Sequence, residues 1–511
     1  MSFSPQPTAA DYLKDIVAAP VYRAAKHTPT DAMPVLSKRL NNRVLVKRED
    51  LQPVHSFKIR GAFNRMAQLG PEERNRGVVA ASAGNHAQGV ALSGRELGIQ
   101  TTIVMPEITP QIKVAAVQGL GGGVLLHGAN FDEAKAKAIE LSETEGMVFV
   151  PPFDDEAVVA GQGTIGLEIF QDVPEIDRVF VPIGGGGLAA GVAILLKQLN
   201  PTIQVIGVEP EESACFVAAK KAGGPVDLDY TSLFAEGVAV KRIGDENFRI
   251  LNEWLDDVVT VTSDEISAAI KDIFDDTRAI AEPAGAVALA GLKRYCAEHE
   301  LTDETLVHVL SGANVNFHSL RYVSERAELG EGSEALFGVT IPEAKGAFLD
   351  FCTVLGSRAV TEFSYRVGET DEPAKIFVGV QLKGGHQERE SILTDLAAAD
   401  YGVVDLSEDE VAKEHVRYMI GGQPPHAVTE SVFAFEFPEH PGALIRFLEV
   451  LGTRWNVSAF HYRSIGMDYG RMLAAFENVE GDPEFAEHLE KLGYHATEVS
   501  SSPAYQFFLK A

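Results

Sequence analysis

Lys58 is the residue of this chain best placed to act as a nucleophilic amine. It lies in segment 54–62 (VHSFKIRGA), at the start of a predicted helix that follows the strand-like run 44–46. Partial burial lowers the pKa of a lysine, and the neutral amine can form a Schiff base with a carbonyl compound. Segment 54–62 alone is a weak signal, because most lysines beside aromatic residues are solvated surface groups.

A second motif, residues 82–89 (SAGNHAQG), follows the apolar run 77–81 and begins a helical run that extends to residue 97. Its small residues let the backbone N–H groups of a helix N-terminus approach an anion such as a substrate carboxylate. Asn85 adds side-chain donors. The motif also fits an ordinary turn in which Ser82 and Asn85 cap the helix and His86 faces water.

The third motif is the glycine run 184–187, which follows the strand-like run 179–183 and precedes a helix. Successive glycines raise the entropy of the unfolded chain, so a functional reason for them is expected. A nest of N–H groups around a phosphate is such a reason.

The phosphate could instead belong to a dinucleotide. Gly185, Gly187 and Ala190 satisfy the pattern G-x-G-x-x-A, and Glu209 ends the next predicted strand, where a ribose-binding carboxylate would lie. A nicotinamide-dependent oxidoreductase is therefore an alternative, although it would leave Lys58 without a role. A pyridoxal phosphate enzyme would use the lysine, the phosphate nest and the 82–89 loop together.

The three motifs resemble those of the pyridoxal-phosphate-dependent serine/threonine dehydratases, which have the tryptophan-synthase-β-like fold (fold type II). The resemblance is carried by residues 47–62, 82–89, 184–187 and 310–314, and it extends in order over roughly residues 10–325. The long threonine dehydratases are the most similar members. The resemblance implies the coenzyme pyridoxal 5'-phosphate and a lyase that converts L-threonine to 2-oxobutanoate and ammonia, the committed step towards isoleucine.

The resemblance also implies a role for each matching residue. Lys58 would be the catalytic residue and would hold the coenzyme as a Schiff base. Phe57 would flank the coenzyme, Asn85 would hydrogen-bond its ring hydroxyl, and Ser311 would face its pyridine nitrogen. The coenzyme phosphate would bind the N–H groups of Gly184, Gly185, Gly186, Gly187 and Leu188. The substrate carboxylate would bind the loop that contains Ser82, Gly84, Asn85 and His86.

Ser311 has a mechanistic consequence. A neutral hydroxyl does not stabilise a protonated pyridine nitrogen as an aspartate would. Carbanion character then stays near Cα, which favours loss of a β-leaving group over transamination. Similar lysine and glycine motifs occur in serine dehydratases, serine racemases and β-replacing enzymes, so these activities remain alternatives.

Composition narrows the possible partners and location. The formal net charge of −29 argues against nucleic acid, since a phosphate backbone would be repelled. No signal-peptide pattern and no apolar run of 18 residues is present, so a cytoplasmic protein without a membrane segment is expected. Cys215, Cys296 and Cys352 lack disulfide-framework or metal-site spacing, and no metal site is predicted.

The length and patterning predict a catalytic domain followed by a duplicated module. Strand and helix patterns alternate through residues 1–325, which predicts two α/β subdomains with mostly parallel sheets. The charged, glycine-punctuated segment 326–335 is predicted to be a linker. Residues 336–420 and 421–511 are predicted to be two α+β subdomains, because residues from Phe337 to Gly356 recur with a constant offset of 96.

The repeat resembles the ACT-like regulatory domains of long threonine dehydratases. This resemblance implies a homotetrameric allosteric enzyme inhibited by L-isoleucine, with L-valine opposing the inhibition. Candidate effector contacts are the recurring residues Tyr365, Arg366, Tyr462 and Arg463, which packing explains nearly as well. Two alternatives remain: an oligomerisation scaffold, and an amino-acid sensor with a decayed catalytic domain.

Overall fold

The chain forms two compact units, residues 1–315 and 316–511. The computed structural model describes residues 6–317, 319–342, 347–356, 358, 360–365, 373–418, 429–438, 447, 450, 451, 454, 455, 457–463 and 469–508. Within these residues, no helix combines the length and the apolarity that a membrane crossing requires.

Residues 6–315 of the first unit form ten strands and thirteen α-helices. The strands are β1 Thr30–Ala32, β2 Arg43–Arg48, β3 Val78–Ala81, β4 Thr101–Met105, β5 Gly123–Leu126, β6 Val148–Phe149, β7 Arg178–Pro182, β8 Gln204–Pro210, β9 Asp257–Val261 and β10 Thr305–Leu310. The helices are α1 Ala9–Ala18, α2 Pro34–Leu40, α3 Lys58–Ala67, α4 Pro71–Arg76, α5 Asn85–Leu97, α6 Gln111–Gly119, α7 Phe131–Glu145, α8 Glu156–Asp172, α9 Gly187–Leu199, α10 Cys215–Ala222, α11 Asp245–Trp254, α12 Ser263–Thr277 and α13 Pro283–His299.

These strands build two sheets, as the alternating pattern predicted. The larger has the order β1-β2-β10-β7-β8-β9 and is parallel except for β1, and the smaller has the order β5-β4-β3-β6 and is wholly parallel. Buried β-branched residues fill the central strands, as expected for sheets covered on both faces. The α/β fold with mostly parallel sheets is confirmed.

Glycines let α3, α5 and α8 pack backbone against backbone. A Cβ at Gly161 of α8 would lie 2.7 Å from the carbonyl oxygen of Arg60 on α3. A Cβ at Gly89 of α5 would lie 3.2 Å from the carbonyl carbon of Lys58. Both distances are too short for a comfortable side-chain contact, so these glycines allow α5 and α8 to hold the start of α3 closely.

The described residues of the second unit form eight strands and six α-helices. The strands are β11 Glu334–Ile341, β12 Val360–Tyr365, β13 Ala374–Gln381, β14 Gly402–Asp405, β15 Glu430–Pro438, β16 Val457–Arg463, β17 Tyr469–Glu477 and β18 Ala496–Glu498. Among the residues that the structure describes, the helices are α14 Ser319–Gly330, α15 Ala347–Leu355, α16 Gly385–Ala398, α17 Glu410–Glu414, α18 Pro483–Leu492 and α19 Pro503–Phe508.

The two sheets of this unit have the same topology. Their orders are β12-β13-β11-β14 and β16-β17-β15-β18, and all pairs are antiparallel. Strand for strand, the second order repeats the first, which confirms the duplicated α+β module.

The boundary between the units differs from the predicted one. Residues 326–330 end helix α14 and residue 334 begins β11, so segment 326–335 is mostly regular structure rather than a linker. The charges that suggested a linker are partly buried in ion pairs. Arg326, for example, pairs with Glu410 and Glu414. The predicted boundary between residues 420 and 421 lies outside the described residues.

Candidate active site

Lys58 is the first residue of α3, at the position that the sequence predicted. Its amine donates to the carbonyl oxygen of Gly237 at 3.5 Å, and it lies 5.9 Å from the centre of the Phe57 ring. Desolvation by the surrounding protein lowers the pKa of Lys58, while Glu282 and Glu236 oppose that shift. The amine is therefore easier to deprotonate than a surface lysine, which suits a nucleophile or base.

The turn Glu236–Val238 brings Lys58 and the glycine run to the same site. Gly237 accepts the Lys58 hydrogen bond, and a Cβ at Gly184 would lie 2.8 Å from the Cα of Val238. Lys58 and Gly184 are 126 positions apart in the sequence (184 − 58 = 126). Their common neighbour in this turn was not predicted, since its sequence carries no recognisable motif.

The glycine run has the geometry of an anion cradle. It connects β7 to α9, and Gly186 has a φ of +93°, which favours glycine over other residues. In the described part of the chain, the N–H groups of residues 184–187 donate no hydrogen bond to another backbone group. These N–H groups at the start of a buried helix are available to bind an anion. Leu188, which follows the run, is buried.

Phe153 packs directly against the glycine run. A Cβ at Gly185 would overlap the Phe153 ring, and one at Gly187 would lie 2.9 Å from the Phe153 carbonyl oxygen. Asn247 also holds the loop, because its Nδ2 donates to the carbonyl oxygen of Gly185 at 2.7 Å. Glycine is therefore required here by packing as well as by backbone conformation.

Asn85 begins α5 and lies between two polar partners. Its Nδ2 donates to Oε1 of Glu282 at 2.6 Å, and its Oδ1 accepts from Nδ2 of Asn314 at 2.7 Å. Glu282 and Asn85 are both buried. Glu282 was missed in the sequence, although its position directly before Pro283, at the start of a helix, could have drawn attention to it. Asn314 lies within residues 310–314, one of the segments that carry the family resemblance, but no role was predicted for it.

The other residues of the 82–89 loop differ in what they present. Ser82 accepts from the N–H of Gly84 at 3.2 Å, and a Cβ at Gly84 would face open space. His86 is buried, and Nε2 of its ring bonds the carbonyl oxygen of Val150 at 2.9 Å. Burial lowers the pKa of His86 to about 4, so the ring is neutral near pH 7 and does not face water.

Ser311 directly follows β10 and is buried. Its hydroxyl donates to the carbonyl oxygen of Ala284 at 3.2 Å, which leaves the oxygen's lone pairs available to another donor. A backbone bridge between Ser56 and Gly312 joins this segment to the one that precedes Lys58. The residues before Lys58 and after Ser311 are thus neighbours.

Glu209 does not have the free carboxylate that the nicotinamide alternative requires. Its two oxygens accept from the N–H groups of Phe216 and Val217, at 2.7 and 2.9 Å, at the start of α10. Burial raises the pKa of Glu209 to about 7. A carboxylate occupied with a helix N-terminus is not available to a ribose.

A buried charge cluster connects the two repeats of the second unit. Glu414 of the first repeat accepts from Tyr322 and Arg326 of α14, at 2.8 and 3.2 Å, and lies 3.5 Å from Arg471 of the second repeat. Burial alone would raise the pKa of Glu414, but the positive charges of Arg471 and Arg326 lower it below its ordinary value. Glu414 is therefore ionised and joins three elements.

The candidate effector contacts are only partly described. Tyr365 ends β12, and Tyr462 and Arg463 end β16, while Arg366 lies outside the described residues. These residues remain predictions on the basis of their recurrence.

Two family models match the chain. Residues 21–312 match the pyridoxal-phosphate-dependent enzymes, and residues 325–416 and 422–509 match the C-terminal regulatory domain of threonine dehydratase. The biosynthetic L-threonine dehydratase of Salmonella typhimurium is 61% identical, with 98% of each chain covered. The mitochondrial threonine dehydratase of Saccharomyces cerevisiae is 44% identical, with 98% of this chain and 89% of the yeast protein covered.

Solved structures are also similar. The processed form of threonine deaminase isoform 2 from Solanum lycopersicum is 49% identical, with a TM-score of 0.62, and the match covers 62% of this chain and 93% of that one. Serine racemase from Dictyostelium discoideum is 31% identical, with a TM-score of 0.56, and covers 60% of this chain and 99% of that one. Similarity in sequence thus spans nearly the whole chain, and similarity in structure about three fifths of it.

Proposed function

Because this chain belongs to the pyridoxal-phosphate-dependent threonine dehydratase family, we propose that it dehydrates and deaminates L-threonine to 2-oxobutanoate and ammonia. The observation that carries the proposal is the site in which Lys58 and the glycine run 184–187 share the turn Glu236–Val238. Lys58, with its lowered pKa, and a row of unused N–H groups fit an aromatic aldehyde that bears a phosphate.

Pyridoxal phosphate supplies an electron sink for the bond that breaks at Cα of the amino acid. Lys58 provides the amine that holds the coenzyme, and once released it accepts the Cα proton of threonine. The lowered pKa of Lys58 suits this second role, because a neutral amine can take up a proton. The ring of Phe57 lies 5.9 Å from the amine.

The glycine run and Leu188 would bind the coenzyme phosphate through their N–H groups at the start of α9. Asn85 would donate to the ring hydroxyl from the same amide nitrogen that contacts Glu282. Ser311 would present a neutral hydroxyl to the pyridine nitrogen, with its proton turned from the carbonyl oxygen of Ala284. As argued from the sequence, that neutral partner favours elimination of the β-hydroxyl over transamination.

The substrate carboxylate binds at the start of α5, among Ser82, Gly84, Asn85 and His86. Open space beside Gly84 leaves room for it. His86 contributes its backbone N–H rather than its ring, because the ring is neutral and held by the Val150 carbonyl oxygen. The N–H groups at a helix start attract the carboxylate.

The second unit is a regulatory domain by its family match, and we infer that L-isoleucine inhibits the enzyme through it and that L-valine opposes the inhibition. The connected repeats support this inference, since an effector that changes how they pack has a route to α14 through Glu414. A homotetramer and a cytoplasmic location remain predictions from the sequence.

Quantification of the 2-oxoacid released from L-threonine and from L-serine, with and without L-isoleucine, tests the proposal. We expect 2-oxobutanoate from threonine and its suppression by isoleucine. Oxoacid production without suppression would contradict the regulatory inference alone. Coenzyme binding with no oxoacid from either amino acid would contradict the proposed reaction and favour racemisation or β-replacement.

A further inference from the structure

Glu282 is a buried carboxylate that the proposed reaction does not use. It directly precedes α13, and its side chain lies between two donors, Nδ2 of Asn85 at 2.6 Å and the backbone N–H of Asn314 at 3.1 Å. The surroundings are built closely around it. A Cβ at Gly312 would lie 2.5 Å from Oε1 of Glu282, so only glycine fits at that position without displacing the carboxylate.

The donors and acceptors around Asn85 determine which way its side-chain amide points. The two carboxyl oxygens of Glu282 accept from Nδ2 of Asn85 and from the N–H of Asn314, so it is the amide nitrogen of Asn85 that faces Glu282. The amide nitrogen of Asn314 donates both to Oδ1 of Asn85, at 2.7 Å, and to the carbonyl oxygen of Val54, at 2.8 Å. Asn314 is therefore fixed as a donor towards Asn85. Both ends of the Asn85 amide then have a single allowed orientation.

That orientation determines what Asn85 offers to the site. Its oxygen accepts a hydrogen bond from Asn314, and one N–H of its nitrogen donates to Glu282. The second hydrogen of Nδ2 is the one left for a ligand. If the amide turned over, the oxygen would take the place of this donor, and an acceptor would face the electron-rich oxygen of the coenzyme ring.

We propose that Glu282 is a positioning residue that holds the Asn85 amide with its N–H, rather than its C=O, towards the ring oxygen of pyridoxal phosphate. The inference rests on the proposed function, because it takes from that proposal the contact between Asn85 and the coenzyme. Burial raises the pKa of Glu282, and Asn85 and Lys58 oppose that shift.

Coenzyme affinity tests this inference without relying on turnover. Wild type, E282Q, N85A and the double variant are freed of coenzyme, and the dissociation constant of pyridoxal phosphate is measured by absorbance titration. Glutamine has the size of glutamate, but its NH2 group must face one of two donors, Asn85 or the N–H of Asn314. We expect E282Q to bind the coenzyme on the order of tenfold more weakly, as for loss of a charged hydrogen bond.

The double variant distinguishes positioning from a separate contribution. If Glu282 acts through Asn85, E282Q/N85A binds no more weakly than N85A alone, within about twofold. Both single variants should also shift the visible absorption band of the bound coenzyme in the same direction. The inference would be overturned if the affinity losses of the two single variants multiplied in the double variant. An unchanged affinity of E282Q for pyridoxal phosphate would also overturn it.

Two further variants keep the test decisive. E209Q is the matched control, because Glu209 is also a buried glutamate that accepts two backbone N–H groups, and it should leave the dissociation constant unchanged. N314D replaces the donor towards Asn85 with an acceptor and leaves Glu282 in place. It should weaken coenzyme binding even if E282Q does not fold, and wild-type affinity in N314D would overturn the inference. Failure of wild type itself to bind pyridoxal phosphate would instead refute the proposed function.

Discussion

Arg60 donates two parallel hydrogen bonds to Glu49, from Nε to Oε2 and from Nη2 to Oε1, each 2.8 Å long. Both side chains are fully buried. The same guanidinium bonds Glu168, which also pairs with Lys47 at 2.8 Å. Arg60 lies two residues after Lys58, so this buried network fixes the first turn of α3. The position of the Lys58 amine depends on an ion-pair network that does not itself touch it.

Replacing Arg60 by methionine should therefore be costly. The substitution leaves Glu49 and Glu168 buried with less compensating positive charge. Breaking a buried ion pair in this way lowers the free energy of unfolding by about 3–5 kcal/mol. Unfolding of R60M in urea should show that loss. R95A is the control, because it removes only an exposed ion pair with Glu96 on α5. Its free energy of unfolding should stay within about 0.5 kcal/mol of the wild-type value. Equal effects of the two substitutions would contradict the account.

The same network predicts an acid dependence of stability. Burial alone would raise the pKa of Glu168, but Arg60 and Lys47 lower it to about 2, below its ordinary value of 4.5. The carboxylate thus stabilises the folded state above about pH 4.5, and this contribution, a few kcal/mol, is lost as the pH falls towards about 2. Urea unfolding at several pH values should give a flatter dependence for E168Q than for wild type. Parallel curves would show that Glu168 is not the group responsible.

The glycine run can be tested by adding one methyl group. In G185A the new Cβ would overlap the Phe153 ring, and relieving such overpacking costs about 1–3 kcal/mol. If the loop bears that strain, pyridoxal phosphate binds about 5- to 150-fold more weakly. Equilibrium titration of the coenzyme measures the change. A Cβ at Gly119 meets open space, so G119A should bind as wild type does, and an unaffected G185A would refute a tightly fitted cradle.

How far the sequence predicted this site depended on distance along the chain. Lys58, Asn85 and the glycine run each follow a strand and begin a helix, so local pattern located them and the α/β class. Glu282 bonds Asn85 across 197 positions, and neither residue's neighbours indicate the other. Segment 326–335 was misjudged for a related reason. Its charges looked solvated, but partners such as Glu410 and Glu414 lie more than 80 residues later.

The charge cluster of the second unit should matter for regulation. E414Q removes the charge that joins α14, the first repeat and Arg471 of the second. We expect the isoleucine concentration for half inhibition to rise several-fold, within the range of about 5–150-fold that allosteric coupling usually spans. Activity without isoleucine should change little. The control K491A removes an exposed pair on α18 and should leave inhibition intact. An unchanged isoleucine response in E414Q would exclude this route.

The central claim is that Lys58 carries out coenzyme-dependent deamination of threonine. Its most direct test is the rate of 2-oxobutanoate release from L-threonine by pyridoxal-phosphate-loaded K58A and wild type, measured side by side with the absorbance of the coenzyme bound to lysine. Loss of both the oxoacid and that absorbance in K58A, with both present in wild type, is the result predicted here. Threonine-dependent release of 2-oxobutanoate by K58A at a rate near that of wild type would contradict it.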